Sequence, residues 1–171
     1  MTAAAIVLAL VTLQRFGELV LSHFNIRKLL ARGAVEIAPG HYPLLVAIHA
    51  AWLIALWMWG RDQPVNVVAL CGFALLQGVR LWVLATLGAR WTTRIIVLPG
   101  EPLIRAGPYR YCRHPNYAVV AGEIALLPLA LNLPRLALIF TILNALAMTI
   151  RIRAETQALA AVREPSMHAG S

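Results

Sequence analysis

The stretch PLLVAIHAAWLIALWMWG, residues 43–60, contains no Asp, Glu, Lys or Arg. A run of this length without charge is typical of a helix that crosses a bilayer, because a span needs roughly 20 mostly apolar residues. The rest of the chain has the same character. Hydrophobic residues make up 60% of its 171 residues and charged residues 13%, whereas a soluble domain carries about a quarter charged residues. The composition predicts a single integral membrane domain over residues 1–171.

Five apolar segments can form helices that cross or nearly cross the membrane, and the fourth of them is short. Four prolines stand near their starts, where a missing backbone N–H costs little. The fifth helix is expected to continue past the membrane face. The predicted spans cover residues of about 3–24, 43–60, 64–87, 115–131 and 134–150.

The basic residues in the connecting segments predict the orientation of the chain. Loop 25–42, loop 88–114 and the C-terminal tail together hold eleven Lys and Arg residues, whereas the opposite side has only Arg61 and Arg135. Cytoplasmic loops of membrane proteins carry the excess of Lys and Arg. The pattern predicts an all-α protein of five transmembrane helices, with its N-terminus outside and its C-terminus in the cytoplasm.

Four ionisable residues fall inside the predicted spans, where charge is expensive. Arg15 and Glu18 share one helix face, and Arg80 and Glu123 lie within the third and fourth spans. Such residues usually face a bundle interior or a wet cavity. Two interpretations stay open: a polar cleft that opens to the cytoplasm, or ion pairs between helices that only fix the packing.

Several functional classes receive no support from the sequence. The net charge of +8 belongs to residues beside apolar runs, which indicates a membrane surface and not a nucleic acid. His23, His41 and His49 are scattered, so no metal site is predicted. Cys71 and Cys112 are expected to be free thiols. The chain has no P-loop, no dinucleotide-binding glycine motif and no nucleophile elbow.

The most informative segment is GPYRYCRHPNY, residues 107–117, followed about 35 residues later by RIRAE, residues 151–155. The predicted helix start at His114-Pro115 has unpaired backbone N–H groups that can meet ligand oxygens. Arg151 and Glu155 are four residues apart and share a helix face, whereas Arg153 points nearly opposite. Taken singly, each feature also fits a plain role: a helix start capped by the His, interfacial tyrosines, or positive anchors.

Together these motifs resemble the GxYxxxRHPxY and Arg-x-x-x-Glu signatures of the isoprenylcysteine carboxyl methyltransferase family. The resemblance is specific over residues 101–160 and looser in the front half. There, residues 15–18, Asn25, residues 32–34, Glu36 and residues 41–43 are similar to a bacterial branch linked to alkylpyrone O-methylation. The resemblance implies an S-adenosylmethionine (SAM)-dependent O-methyltransferase whose catalytic region covers about residues 88–160.

The resemblance also implies the site residues, in a cofactor pocket at the cytoplasmic face built from the C-terminal half of the chain. Arg151 and Glu155 are expected to be catalytic, with Arg151 on the substrate side and Glu155 also in contact with SAM. The other expected SAM contacts are Glu101, Pro102, Leu103, Ile104, Tyr109, His114, Pro115, Asn116 and Tyr117.

The expected methyl acceptor is lipophilic and already anionic near neutral pH. A carboxylate or an acidic enol needs no strong general base, and Arg151 would hold the anion. A lipid-tailed small molecule is favoured over a prenylcysteine-type carboxylate, and a bacterial inner membrane is the expected location. Two alternatives stay open: a membrane NADPH-dependent reductase of related architecture, and a non-enzymatic small transporter or scaffold.

Overall fold

The computed structural model describes residues 1–37, 39–102 and 104–163, with side chains as far as Arg153 apart from that of His41. Five α-helices make up most of this part. They are α1 (Ala3–Ala31), α2 (Tyr42–Gly60), α3 (Val67–Leu87), α4 (Pro115–Ala130) and α5 (Pro134–Arg163). Short 3-10 turns cover Pro39–His41, Gly88–Arg90 and Gly107–Arg110.

Four of the helical segments are long and apolar enough to cross a membrane: Ala3–Ala31, Tyr42–Gly60, Val67–Arg90 and Pro134–Arg153. The helix α4 has 16 residues, about 24 Å at the usual rise, and this is less than the roughly 30 Å of a bilayer core. The prediction of an all-helical membrane protein is confirmed. The count of five transmembrane helices stays a prediction, because α4 is short.

The helix boundaries differ from the predicted spans in two places. The helix α1 continues to Ala31, well past the apolar segment that ends near Phe24. The helix α3 begins at Val67 and not at Pro64, since Asn66 caps it by accepting a hydrogen bond from the Ala69 N–H at 3.1 Å. The Pro64 carbonyl instead accepts a hydrogen bond from Asn132 Nδ2 at 2.7 Å.

A small antiparallel sheet joins the two longest connections. Strand β1 (Val35–Glu36) pairs with β2 (Ile96–Val97), with Val35 opposite Val97 and Glu36 opposite Ile96. Strand β1 lies in the loop after α1, and β2 lies in the loop after α3. The pairing ties the 32–37 segment to the segment that follows α3.

Glycines allow α3 and α4 to pack closely. A Cβ on Gly72 would lie 3.3 Å from Leu126 Cδ1, and a Cβ on Gly122 would lie 2.6 Å from Leu76 Cδ1. Each helix therefore presents a glycine where the other presents a leucine, and small residues of this kind let membrane helices approach. This packing fixes the position of α4, which carries several of the predicted site residues.

Candidate active site

The five helices line a partly open cavity of about 290 Å³ beside the segment that follows α3. This volume is near the lower end of ligand pockets, roughly 300–1,000 Å³. Each helix contributes to the wall, and most of the wall is apolar. Its lining residues are Thr12, Arg15, Phe16, Glu18, Leu19, Tyr42, Leu45, Val46, His49, Ala50, Trp52, Leu53, Arg80, Trp91, Thr92, Thr93, Asn116, Tyr117, Val120, Met148 and Arg151.

Polar side chains gather at two ends of this cavity. We call Tyr42, Thr93, Asn116, Tyr117 and Arg151 the loop end, because Thr93 lies in the segment after α3 and three of the others lie in the first turn of α2 or α4. Arg151 lies within α5 and contacts Thr93 and Tyr117. The second group lies in the middle of α1, α2 and α3, and we call it the mid-helix end. It consists of Thr12, Arg15, His49, Trp52 and Arg80.

Arg151 is the central cation of the loop end. Its Nη1 donates to the Thr93 carbonyl at 2.7 Å, and its Nε donates to the Tyr117 hydroxyl at 3.1 Å. The guanidinium carbon also lies 5.3 Å from the centre of the Tyr117 ring. The residue is 9% exposed, and none of the carboxylates with described side chains forms an ion pair with it. The loop end therefore carries a buried positive charge without a described counterion.

Thr93 is held in place by residues of the front half of the chain. Its N–H donates to Ser22 Oγ at 2.9 Å, and its hydroxyl lies 2.8 Å from the same oxygen and 3.2 Å from the Tyr42 hydroxyl. Asn25 supports the same segment by donating to the Trp91 carbonyl at 2.8 Å and the Gly88 carbonyl at 3.2 Å. Helix α1 thus positions the carbonyl that fixes Arg151.

The start of α4 brings two of the motif residues to the loop end. Pro115 is the first residue of the helix, so Asn116 and Tyr117 follow within its first turn. The His114 ring stacks on the Tyr117 ring with centroids 5.2 Å apart and an interplanar angle of 8°. The His114 side chain makes no capping hydrogen bond. His114-Pro115 begins the helix as predicted, with His114 at the N-cap position but without a hydrogen bond from its side chain.

Buried polar atoms of this cavity lack partners. Six buried side-chain N and O atoms in the described part of the chain have no hydrogen bond, and four belong to residues of the cavity wall. Two of the four are at or beside the loop end, Trp91 Nε1 and Asn116 Oδ1, and two are at the mid-helix end, Arg15 Nε and Trp52 Nε1. A buried donor or acceptor without a partner is costly, so both ends are suited to polar ligand atoms.

Arg15 and Arg80 of the mid-helix end form a charge network with two glutamates, Glu18 and Glu123. Arg80 donates from Nε to Glu123 at 2.7 Å, from Nη2 to Glu123, and from Nη1 to Glu18 at 2.9 Å. Arg15 donates to Glu18 at 2.9 Å and Glu123 at 2.8 Å. The predicted ion pairs between helices are confirmed. Arg15, Glu18 and Arg80 also line the cavity, so their side chains face the cavity as well as one another.

Other predicted cofactor contacts lie away from this cavity wall. Glu101 forms ion pairs with Arg32 at 2.6 Å and Arg90 at 3.0 Å, and Arg90 also donates to the Pro102 carbonyl at 2.9 Å. These contacts anchor the segment around residue 101 to the ends of α1 and α3. The cofactor roles predicted for Glu101 and Pro102 stay predictions.

The remaining predicted residues have separate positions. Ile104 and Tyr109 are half-buried outside the wall of this cavity, and Pro115 lines a second apolar groove between α3 and α4. Leu103 lies outside the described residues. Glu155 belongs to α5, but its side chain lies outside the described part, so its catalytic role stays a prediction. Arg153 is exposed whereas Arg151 is buried, as helix phase predicted.

The cavity draws on both halves of the chain, and a cofactor pocket built from the C-terminal half stays a prediction. The cavity-lining residues of α1, of α2 and at positions 91–93 were not named as site residues. The sequence did indicate two residues in or beside the cavity, because Asn25 and Tyr42 belong to the part of the front half that resembles the bacterial branch of the family. Nothing in the local sequence around Thr93 indicates that its backbone carbonyl would meet Arg151.

The comparisons with known proteins agree with the motif. Residues 67–161 match the isoprenylcysteine carboxyl methyltransferase (ICMT) family, and this range includes Asn116, Tyr117 and Arg151. The uncharacterized protein YpbQ of Bacillus subtilis (strain 168) is 37% identical over 161 residues, which are 90% of this chain and 95% of that protein. An uncharacterized protein of Haemophilus influenzae is 28% identical over 151 residues, 85% of this chain and 88% of that protein. No solved structure matches the chain.

The family match covers more than half of the chain, and the Bacillus relative covers nearly all of it. The matched range includes the start of α4 and Arg151 of α5, which meet at the loop end of the cavity. This chain belongs to the isoprenylcysteine carboxyl methyltransferase family of membrane methyltransferases.

Proposed function

We propose that the protein is an integral membrane SAM-dependent O-methyltransferase that acts on the carboxylate or acidic hydroxyl of a lipophilic acceptor. The observation that carries this proposal is Arg151, a buried guanidinium in the cavity wall that forms no ion pair with a described carboxylate. A buried charge is stable only when it is paired. An anionic acceptor would place a negative charge beside this guanidinium.

The donors of Arg151 support this use. Two of its nitrogens are engaged by the Thr93 carbonyl and the Tyr117 hydroxyl, which fix the plane of the guanidinium. The third nitrogen of Arg151, Nη2, makes no hydrogen bond to a described residue. It is therefore suited to bind an oxygen of the methyl acceptor. Holding the acceptor in one orientation is a large part of what a displacement at carbon requires.

The walls of the cavity support a lipophilic acceptor. Between its two polar ends the cavity is lined by apolar side chains from four helices. Some of them also face outward: Phe16 is 67% exposed, Leu19 45% and Val46 42%. A lipid tail could pass between α1 and α2 along these residues. A lipid-tailed small molecule fits this path. A prenylated protein would also need space for its peptide portion.

The residues at the start of α4 fit SAM. Asn116 Oδ1 is buried without a donor, and SAM has amino groups that can donate to it. The stacked rings of His114 and Tyr117 offer a flat face for an adenine or a cationic sulfonium. SAM supplies an electrophilic methyl group, so an oxygen anion displaces the sulfur and a methyl ester or ether results. In this scheme Arg151 orients the acceptor anion and the apolar wall excludes water.

The proposed membrane arrangement has the N-terminus outside and the loop end at the cytoplasmic face of a bacterial inner membrane. Five helices then cross or nearly cross, with α4 as the short one. The basic segments around residues 25–42 and 88–114 support this orientation. It places Arg151, Asn116 and Tyr117 where SAM is available.

The test uses membrane vesicles that contain the protein and SAM with a labelled methyl group. Inverted vesicles, which expose the cytoplasmic face, should transfer label into organic-soluble product from an added long-chain carboxylate such as stearate or from an endogenous lipid. Sealed right-side-out vesicles should not. Purified protein should bind SAM in isothermal titration. Tight binding of NADPH without binding of SAM would overturn the proposal in favour of a reductase, and binding of neither ligand would favour a non-enzymatic role.

A further inference from the structure

We propose that the mid-helix end of the cavity is a second binding subsite, which recognises an uncharged polar group, such as a hydroxyl or ketone, in the tail of the acceptor. This inference rests on the proposed function, because it takes the cavity to hold the acceptor. It adds that the tail is not plain hydrocarbon. The observations that carry it are unpartnered polar atoms in an otherwise apolar part of the wall.

Trp52 provides a donor. It is 2% exposed, lines the cavity, and its Nε1 has no hydrogen bond. An indole nitrogen is a donor only, so a hydrogen-bond acceptor from a ligand would satisfy it. The contrast with Trp57 is informative. The Trp57 Nε1 donates to Thr12 Oγ1 at 3.0 Å, which shows that a neighbouring indole on α2 has an internal partner.

His49 adds an acceptor one helical turn from Trp52. Its Nδ1 lies 2.8 Å from the Leu45 carbonyl, which can only accept, so Nδ1 carries the hydrogen. In a neutral imidazole the other nitrogen, Nε2, then has a free lone pair. A ligand hydroxyl could donate to Nε2 and accept from Trp52 Nε1, whereas a ketone would use the donor alone.

The charge balance of this end favours a neutral group. Arg15, Arg80, Glu18 and Glu123 sum to zero, and their ion pairs are made with one another. Arg15 keeps one spare buried donor, Nε, which has no hydrogen bond. The loop end differs because Arg151 has no described counterion. An anion at the loop end and an uncharged polar group at the mid-helix end match this pattern.

The helix geometry sets the distance between the two groups. Tyr42 stands at the loop end, and His49 and Trp52 follow it on the same helix by seven and ten residues. At about 1.5 Å per residue, the two ends are roughly 10–15 Å apart. The preferred acceptor therefore carries its second polar group about midway along a long chain, and not next to the anion.

The experiment compares stearate, 3-hydroxystearate and 10-hydroxystearate as competitors of radiolabelled stearate on the purified full-length protein. The wild type should bind 10-hydroxystearate roughly five- to tenfold more tightly than stearate, as expected for one net hydrogen bond. No such gain is expected for 3-hydroxystearate. Trp52→Phe, which removes the donor and keeps a large apolar ring, should reduce the preference to less than about twofold.

Two further variants keep this test decisive. Trp57→Phe is the matched control and should retain the preference, because it removes an indole nitrogen that is already bonded. His49→Leu should weaken binding of the hydroxyl compound, so the proposal can be tested even if Trp52→Phe does not fold. Partitioning into detergent is the same for every variant and cancels when their ratios are compared.

The outcomes separate the subsite from the proposed function. Equal binding of stearate and 10-hydroxystearate by the wild type would overturn the subsite, even if both are methylated. An unchanged preference in both Trp52→Phe and His49→Leu would also overturn it. A preference that both variants lose, in a protein that transfers no methyl group, would support the subsite and refute the proposed function.

Discussion

Glu123 is the residue on which the buried charge network depends. Its side chain is 1% exposed and accepts hydrogen bonds from Arg80, Arg15 and Gln77, the last at 2.9 Å. Removal of one partner from a buried ion pair leaves an uncompensated charge. The stability of the bundle should therefore be more sensitive to this carboxylate than to any surface pair.

We predict that Glu123→Gln lowers the free energy of unfolding by about 3–5 kcal/mol. Denaturant or thermal unfolding in detergent measures the change. Asp62→Asn is the control, because Asp62 pairs with Arg61 at 3.0 Å on an exposed surface, and its effect should stay within about 0.5 kcal/mol. Addition of Arg15→Gln to Glu123→Gln restores the charge balance and should recover part of the loss. If Glu123→Gln unfolds like the wild type, the network does not stabilise the fold.

The direction in which each side chain of a regular helix points can be predicted from the sequence. Arg151 and Arg153 differ by two positions, and this alone predicted that only Arg151 shares a face with Glu155. The structure buries Arg151 and exposes Arg153. The phase of a regular helix follows from residue number, so this part of the site needed no tertiary information.

At the scale of elements, the turn before α4 is fixed by a glycine. Gly107 has φ of +55°, and a Cβ there would meet the Thr86 side chain and lie 3.2 Å from Trp82 Nε1. The 3-10 turn that Gly107 begins packs against the end of α3 and leads to His114 and Pro115. The position of the motif therefore depends on a residue without a side chain.

We predict that Gly107→Ala destabilises the protein by about 1–3 kcal/mol, because an L-residue is strained at this φ and its Cβ meets α3. The same change should reduce methyl transfer by displacing the start of α4. The control is Gly78→Ala in α3, where a Cβ meets nothing within 4 Å and alanine suits a helix interior better than glycine. A Gly107→Ala protein as stable and active as Gly78→Ala would contradict this role for the turn.

The local elements were predictable to different degrees. Pro115 and Pro134 marked two helix starts correctly, since proline fits the first helical position. Pro64 misled, because Asn66 caps α3 two residues later. Strand β1 escaped prediction because two residues carry almost no periodic signal, and their pairing with Ile96–Val97 is a long-range contact.

At the scale of the whole molecule, the apolar runs were sufficient to predict an all-helical membrane protein. They could not predict the cavity, because its wall joins α1, α2 and the segment after α3 to α4 and α5. The bond between Arg151 Nη1 and the Thr93 carbonyl spans 58 positions, and a backbone carbonyl has no sequence signature. Motif residues such as Tyr117 were found through the family resemblance, whereas Thr93 required the folded chain.

The central claim is that the anion of a lipophilic acceptor is methylated beside Arg151. Mass spectrometry of lipid extracts tests it most directly, in cells that carry the wild type, Arg151→Ala or the matched control Arg153→Ala. We predict a lipid heavier by one methyl group with the wild type and Arg153→Ala, reduced at least about tenfold with Arg151→Ala because the buried acceptor anion loses its partner. The same methylated lipid with all three proteins, or no methylated lipid with the wild type, would contradict the claim.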